Sequence, residues 1–234
     1  MLRKILTVAL LAVLTALPVL AIKASVAHAH LCTHVIVERD ALNVGPIKCS
    51  STAVGPHALL TASHCELPVD ELFVDGKQSD ILGRTRDGGD HTILFLSATF
   101  KDWATFADAL PDVSDHVFIF GNPGRDNDMY REGYVSNIDG AMLYLDMNGF
   151  PGDSGSALFN EEGKVCGIVS LVTLQATGYD EEGKSQVQFK LMGARQLNFT
   201  KEQKAAAASW KAGDAIPSSV KPTSSLIRSL FGNN

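Results

Sequence analysis

After its first two dozen residues the chain is written in short apolar or alternating runs, each closed by turn-forming residues. The clearest runs are Val35-Ile36-Val37, Ala58-Leu59-Leu60, Glu71-Leu72-Phe73-Val74, Thr92-Ile93-Leu94-Phe95-Leu96, His116-Val117-Phe118-Ile119-Phe120, Met142-Leu143-Tyr144-Leu145 and Val165-Cys166-Gly167-Ile168-Val169. They have the length of strands. Asp75-Gly76, Asp87-Gly88-Gly89, Asn122-Pro123-Gly124, Asp139-Gly140 and Glu162-Gly163 punctuate them with residues that accept tight turns. This spacing predicts an all-β chain folded as a sandwich or barrel rather than as βαβ units. Ala109-Leu110-Pro111-Asp112 divides the strand-rich text into two similar stretches, so two β subdomains are expected, over residues 30–110 and 111–199. One helix is expected over 200–212, where Thr200 and Gln203 have capping-box spacing ahead of the alanine run 205–208. Residues 213–234 are rich in Ser, Pro and Gly and read as a flexible tail, with Leu226, Ile227, Leu230 and Phe231 free to pack or to meet a partner.

The N-terminus breaks this pattern. Arg3 and Lys4 precede an apolar run from Ile5 to Ile22, followed by small residues, which is the order of a secretory signal. The run just reaches the length, about 18 residues, at which it could remain as a bilayer anchor. Pro18 favours cleavage, at Val19-Leu20-Ala21 or at Ala27-His28-Ala29. Residues 1–29 are therefore read as a signal peptide or signal anchor. Because the positive end of such a segment stays in the cytosol, the body is expected to be secreted, periplasmic or extracellular, with the membrane reached only through this segment. In an oxidising compartment Cys32, Cys49, Cys65 and Cys166 become disulfide candidates with three possible connectivities.

Composition narrows the function. With 45% hydrophobic and 20% charged residues the body can bury a globular core. Twenty Lys and Arg against 26 Asp and Glu leave a formal charge of −6, so the chain lacks the concentrated positive field that a nucleic acid would require.

Candidate chemistry begins at Gly152-Asp153-Ser154-Gly155-Ser156. A serine between glycines in a tight turn exposes its hydroxyl, and such a turn can aim successive backbone N–H groups at one point. Attack on a carbonyl needs both a nucleophile and donors for the oxyanion. Alone, the string also suits an ordinary β-turn. In Thr61-Ala62-Ser63-His64-Cys65 an imidazole stands at the end of an apolar strand beside a cysteine able to fix the backbone, the rigid placement that a general base needs. A carboxylate must then hold that imidazole. Asp90, between Gly88-Gly89 and the strand Thr92–Leu96, is the first candidate; Asp80, Asp87 and Asp102 compete with it.

Together these strings resemble the trypsin-like, chymotrypsin-fold serine proteases: TASHC is similar to the family's TAAHC, GDSGS to GDSGG, and DHTIL to the aspartate-led DIALL, in the order His, Asp, Ser. The second half is similar to the compact bacterial and viral members. The resemblance covers roughly residues 45–195 and implies two six-stranded antiparallel barrels with a C-terminal helix. It further implies a catalytic triad of His64, Asp90 and Ser154 across the crevice, an oxyanion hole from the N–H groups of Gly152 and Ser154, and a disulfide from Cys49 to Cys65. Cys32 and Cys166 then remain, as a second pair or as two thiols. It implies polypeptide substrates, an acyl-enzyme intermediate, a monomer, and no metal or organic cofactor.

Departures from the family pattern matter too. No Ile-Val-Gly-Gly string is present to supply a new amino terminus for Asp153, so that aspartate needs another partner or the enzyme is active without the switch. By the family's spacing Asn148 lies at the base of the substrate pocket, with Ser170 and Val172 on its edge. Asn148 disfavours a preference for Lys or Arg, and Val172, where a glycine usually stands, resembles the elastases. Two rival readings stay open: a protease-fold binding protein without activity, and a viral protease that processes its own polyprotein.

Overall fold

The computed structural model describes residues 22–39, 47–65, 71–124, 126–179, 185–215, 217 and 220–222. Residues 1–21, with the apolar leader run and its first small-x-small site, lie outside them, as do Leu226, Ile227, Leu230 and Phe231.

The first half forms β1 (Thr33–Arg39), β2 (Ile47–Gly55), β3 (Ala58–Ala62), β4 (Glu71–Val74), β5 (Lys77–Ser79), β6 (Ile81–Arg86) and β7 (His91–Leu96). The second forms β8 (His116–Gly121), β9 (Met129–Asp139), β10 (Met142–Asn148), β11 (Ala157–Asn160), β12 (Val165–Tyr179) and β13 (Ser185–Gln196). The strands of the second half close into a barrel in the order β10-β13-β12-β11-β8-β9. Those of the first run in the order β6-β7-β3-β2-β1-β4-β5, extended at the β6 edge by β14 (Lys221–Pro222). The two-barrel, chymotrypsin-like class is thus the fold observed, with one closed six-stranded barrel. Among the described residues the first sheet differs in carrying eight strand segments, one of them drawn from the tail.

Every residue of β3 and of β7 is buried, which accounts for their unbroken apolar runs. The C-terminal helix packs on the neighbouring strand β2, and the residue beyond it reaches β7. Thr200 caps that helix (Lys201–Ser209, α2): its Oγ1 accepts the Gln203 N–H at 3.2 Å while Gln203 Oε1 accepts the Thr200 N–H at 2.8 Å. Ala207 is fully buried against the core and Trp210, just beyond the helix, packs edge-on against Phe95 with ring centroids 5.4 Å apart. Gly55 of β2 is needed here, since a β-carbon would collide with the Ala207 carbonyl. One continuous core joins the halves through Phe118, Phe120 and Phe159; a second fills the closed barrel around Ile119, Leu143, Leu145 and Met192.

One feature departs from the sequence reading, and another selects between alternatives it left open. Residues 22–31 are helical (α1) and packed on the body: Ala29 has no exposed surface, His30 stacks on Phe120 at 4.7 Å, and Ser25 Oγ donates to Glu161 O at 2.8 Å. The second small-x-small site, Ala27-His28-Ala29, therefore lies within structure. Cys32 and Cys166 are both free thiols, because one belongs to the shared core and the other to the separate core of the closed barrel. Burial, helped by the Asp102 charge for Cys32 and the Asp115 charge for Cys166, pushes each thiol up to about 12, so neither is a nucleophile at neutral pH.

Candidate active site

β3 and β7 are hydrogen-bonded neighbours with Ala62 opposite His91, so the residues that follow one and precede the other emerge side by side. Ser63–Cys65 form a short 3-10 turn after β3, and the Cys49–Cys65 disulfide ties this turn to β2. Ser63 N–H donates to Asp90 O at 3.0 Å. His64 then takes both carboxylate oxygens of Asp90, its backbone N–H donating to Oδ1 at 3.0 Å and its Nδ1 meeting Oδ2 at 2.7 Å. With Nδ1–H committed to the carboxylate, the Nε2 lone pair is the free edge of the ring. That ring is 46% exposed and the carboxylate 22%. Burial pushes the Asp90 carboxyl up, but the hydrogen bond from His64, its charge and its backbone N–H, with the His91 charge further off, outweigh this and hold it below the usual range.

None of the three competing aspartates reaches His64. Asp87 is bonded instead to His91, Nδ1 to Oδ2 at 2.6 Å.

Ser154 belongs to a turn built on two positive-φ glycines, Gly152 at +104° and Gly155 at +85°. Gly155 is required by close approach, for a β-carbon would collide with Ser50 O and the Thr61 hydroxyl. Its N–H donates to Val169 O, and Val169 N–H returns to Ser156 O, both at 2.9 Å, lacing the turn to β12. From the other side Ser50 N–H of β2 donates to Ser154 O at 2.8 Å, and Cys65 Sγ lies 3.7 Å from the same oxygen. The backbone of Ser154 is thus held beside that of His64, although among the described residues no hydrogen bond joins Ser154 Oγ to His64 Nε2. Asp153, Gly155 and Ser156 all donate their N–H groups within the protein. Among the described residues the N–H groups of Gly152 and Ser154 do not.

Asp153 has no exposed side-chain surface, and its partner is Arg131 of β9. The guanidinium spans both carboxylate oxygens, with Nη1 donating to Oδ2 at 2.8 Å, while Phe150 N–H donates to Oδ2 at 2.7 Å. Nη1 also donates to Asn148 O at 3.0 Å, and the Phe150 ring stands 5.6 Å over the guanidinium carbon. Sequence reasoning raised the need for this cation without finding it.

Of the pocket residues, Asn148 ends β10 with its side chain exposed and its carbonyl taken by Arg131. Ser170 is half-buried on β12, its Oγ donating to Ile168 O at 3.4 Å. Val172 pairs with Met192 along β13, and its side chain lies outside the described residues.

A crevice chemistry carried on two β-barrels of this topology defines the chymotrypsin-like serine peptidase class. Residues 49–168, from the disulfide through His64, Asp90 and Ser154 to β12, match the family model of the trypsin-like peptidase domain, and the chain belongs to that family of serine endopeptidases. Among solved structures it is similar to the active form of the Rv3671c protease of M. tuberculosis, with 16% identity, TM-score 0.62, and coverage of 84% of this chain and 89% of that one. It is also similar to a serine endoprotease of Yersinia pestis (22% identity, TM-score 0.57, 75% and 62% covered). The HtrA-type protease AlgW with a bound tripeptide gives 20% identity, TM-score 0.56, and 75% and 59% covered. The chain thus spans less than two thirds of the last two. A search of curated proteins gives no significant match.

Proposed function

We propose that the protein is an exported serine endopeptidase that cleaves polypeptides through His64, Asp90 and Ser154. The observation that carries this is the two-point grip of His64 on Asp90, which leaves Nε2 as the free edge of a solvent-facing ring, beside a serine turn in which the Gly152 and Ser154 N–H groups have no acceptor among the described residues. His64 Nε2 takes the Ser154 proton as Oγ bonds to the substrate carbonyl carbon, and the oxyanion is received by the Gly152 and Ser154 N–H groups. His64 then gives that proton to the leaving amine as the C–N bond breaks, producing an acyl-enzyme. Water, deprotonated by His64, attacks the ester; the C–Oγ bond then breaks as His64 returns that proton to Ser154 Oγ and the carboxylic product leaves. Hydrogen bonds of this kind are commonly long in unliganded enzymes and tighten around substrate, which accommodates the open Ser154–His64 contact.

Arg131 gives Asp153 a permanent cation, so the nucleophile turn needs no newly cut amino terminus and the enzyme is constitutively competent. Asn148, Ser170 and Val172 are assigned to a pocket for a small apolar side chain. The single disulfide suits an oxidising compartment, and the apolar segment ahead of Ile22 supplies export or a membrane tether. A fluorophosphonate probe tests the reading: wild type is labelled and Ser154→Ala is not, whereas a folded wild type that stays unlabelled defeats it in favour of a binding protein.

A further inference from the structure

Ser50 is a serine of the first barrel that touches the catalytic turn of the second at two points. Besides its N–H bond to Ser154 O, its hydroxyl donates to Gly152 O at 2.8 Å and accepts from Asn122 N–H and Asn122 Nδ2, each at 3.0 Å. Ser50 and Asn122 are both fully buried. A hydroxyl has one hydrogen and two lone pairs. Both lone pairs are taken by N–H donors, so the hydrogen has a single destination, the Gly152 carbonyl.

That carbonyl matters because of what stands on either side of it. A peptide unit is planar and trans, so fixing a C=O fixes the N–H of the next residue in the opposite direction. The Pro151 carbonyl is held by Gly124 N–H at 2.9 Å, which aims the Gly152 N–H; the Asp153 carbonyl is held by Ser156 N–H at 2.9 Å, which aims the Ser154 N–H. Between these two donors lies the Gly152–Asp153 peptide, and it turns on a glycine with φ +104° that offers little resistance to rotation of its own. Asp153 N–H to Phe150 O, at 3.0 Å, restrains one edge of that plane. The Ser50 hydroxyl restrains the other.

The geometry points to Ser50 as a positioning residue for the oxyanion hole, its hydroxyl locking the peptide that sets the two donor N–H groups relative to each other. Asn122 completes the clamp: it orients the hydroxyl from one side, and its own Oδ1 is steadied by Asp128 N–H at 3.0 Å. This inference rests on the proposed serine-protease reading and names a residue that reading does not use.

The test compares Ser50→Ala with Ser51→Ala. Ser51 is equally buried on the same strand, but its hydroxyl goes to His34 O, away from the turn. Losing a donor from an oxyanion hole costs about a hundred- to a thousandfold in kcat. Loosening its support by Ser50→Ala is expected to lower kcat about ten- to a hundredfold with KM within about threefold, and to weaken a peptidyl trifluoromethyl ketone by the same factor as kcat while the matching peptide alcohol binds unchanged. Ser50→Thr, which keeps the hydroxyl, is expected to recover most of the loss, and Ser51→Ala to leave kcat within about twofold. A kcat for Ser50→Ala within about twofold of an active wild type overturns the clamp alone, as do equal losses in Ser50→Ala and Ser51→Ala. A wild type inert to fluorophosphonate overturns the protease reading and the clamp with it. Should Ser50→Ala fail to fold, Asn122→Ala frees the hydroxyl to turn: a fall in kcat of about fivefold or more supports the clamp, and a smaller one overturns it.

Discussion

Where β3 ends beside the start of β7, the first barrel builds the same imidazole–carboxylate contact twice. His64 meets Asp90 and His91 meets Asp87, each Nδ1 to Oδ2, at 2.7 and 2.6 Å. Surroundings separate them. The first ring is 46% exposed, while the His91 and Asp87 side chains are 1% and 0% exposed and the His91 Nε2 is enclosed without a hydrogen-bond partner among the described residues. Asp87 also accepts the N–H groups of Gly89 and of Asn198, at 2.9 and 3.0 Å, so it staples the Asp90 turn to the segment entering α2. A histidine held by an aspartate is therefore not in itself a catalytic dyad. What suits His64 to the proposed catalytic role is a ring edge facing solvent next to the serine turn, whereas His91 is buried and its partner braces the Asp90 turn.

The sharpest way to break this distinction is to delete each imidazole. His64→Ala is expected to lower kcat by about ten-thousandfold or more, the scale on which triad members act, while unfolding free energy moves by less than about 0.5 kcal/mol, as for other exposed sites. His91→Ala should do the opposite. Removing a hydrogen-bond partner from a buried polar group costs about 1–3 kcal/mol, and the kcat of the folded fraction should stay within about tenfold. Urea titrations read beside turnover decide it; comparable activity losses in both variants would make the two pairs one catalytic network.

The carboxylates offer a second, finer cut. Asp90→Asn keeps the shape but no longer holds the His64 tautomer, a change worth about ten-thousandfold in kcat for a triad aspartate. In Asp87→Asn the expected loss is about 1–3 kcal/mol of stability, the cost of leaving buried donors badly matched, with kcat within about tenfold. An Asp87→Asn variant as inactive as Asp90→Asn would reinstate the aspartate three residues upstream as a candidate for the catalytic role.

Which parts of this were legible beforehand follows from how local each signal is. The core of β7 is readable because a strand buried on both faces is apolar throughout, Glu71–Val74 because its apolar run ends at a turn pair, and the Thr200–Gln203 cap because both partners lie within one helical turn. His64, Asp90 and Ser154 were readable as residue types inside motifs. β9 was not: Met129–Asp139 is an exposed strand with one fully buried residue, Val135, so no apolar run announces it. Arg131 was hidden with it, 22 positions from Asp153. Ser50 was invisible for the same reason, since its partners lie 72 and 102 positions away and the strand around it reads only as polar and small. β13 carries a weaker local signal, the alternation of Val187, Phe189 and Leu191 with polar or charged residues. The helix of residues 22–31 is hard to separate from the leader in the sequence because its small alanines carry no amphipathic stripe, and only Ala29 and Cys32 at its end are buried.

Acid titration sets the two pairs apart by the smallest margin and brings in a third. His34 and Asp75 repeat the 2.7 Å contact with Asp75 51% exposed. Burial pushes the Asp87 carboxyl up, but the bonds from His91, Asn198 and Gly89 and the His91 charge outweigh it and hold the group below its usual range; Asp75 is lowered in the same way by His34, Val35 and Lys77. An unfolded aspartate titrates near pH 3.9. Below that pH the unfolded chain binds protons that the folded one refuses, so these carboxylates contribute their full stability above about pH 4 and lose it as pH falls through their lower folded values. Asp87→Asn removes that contribution, so its stability should decline less steeply than that of wild type as the pH is taken from about 5 to about 2. Asp75→Asn should track the wild-type curve closely, because solvent screens an exposed pair. Urea midpoints across this range measure both slopes, and identical slopes for the two variants would mean that burial does not distinguish the buried pair from a surface contact.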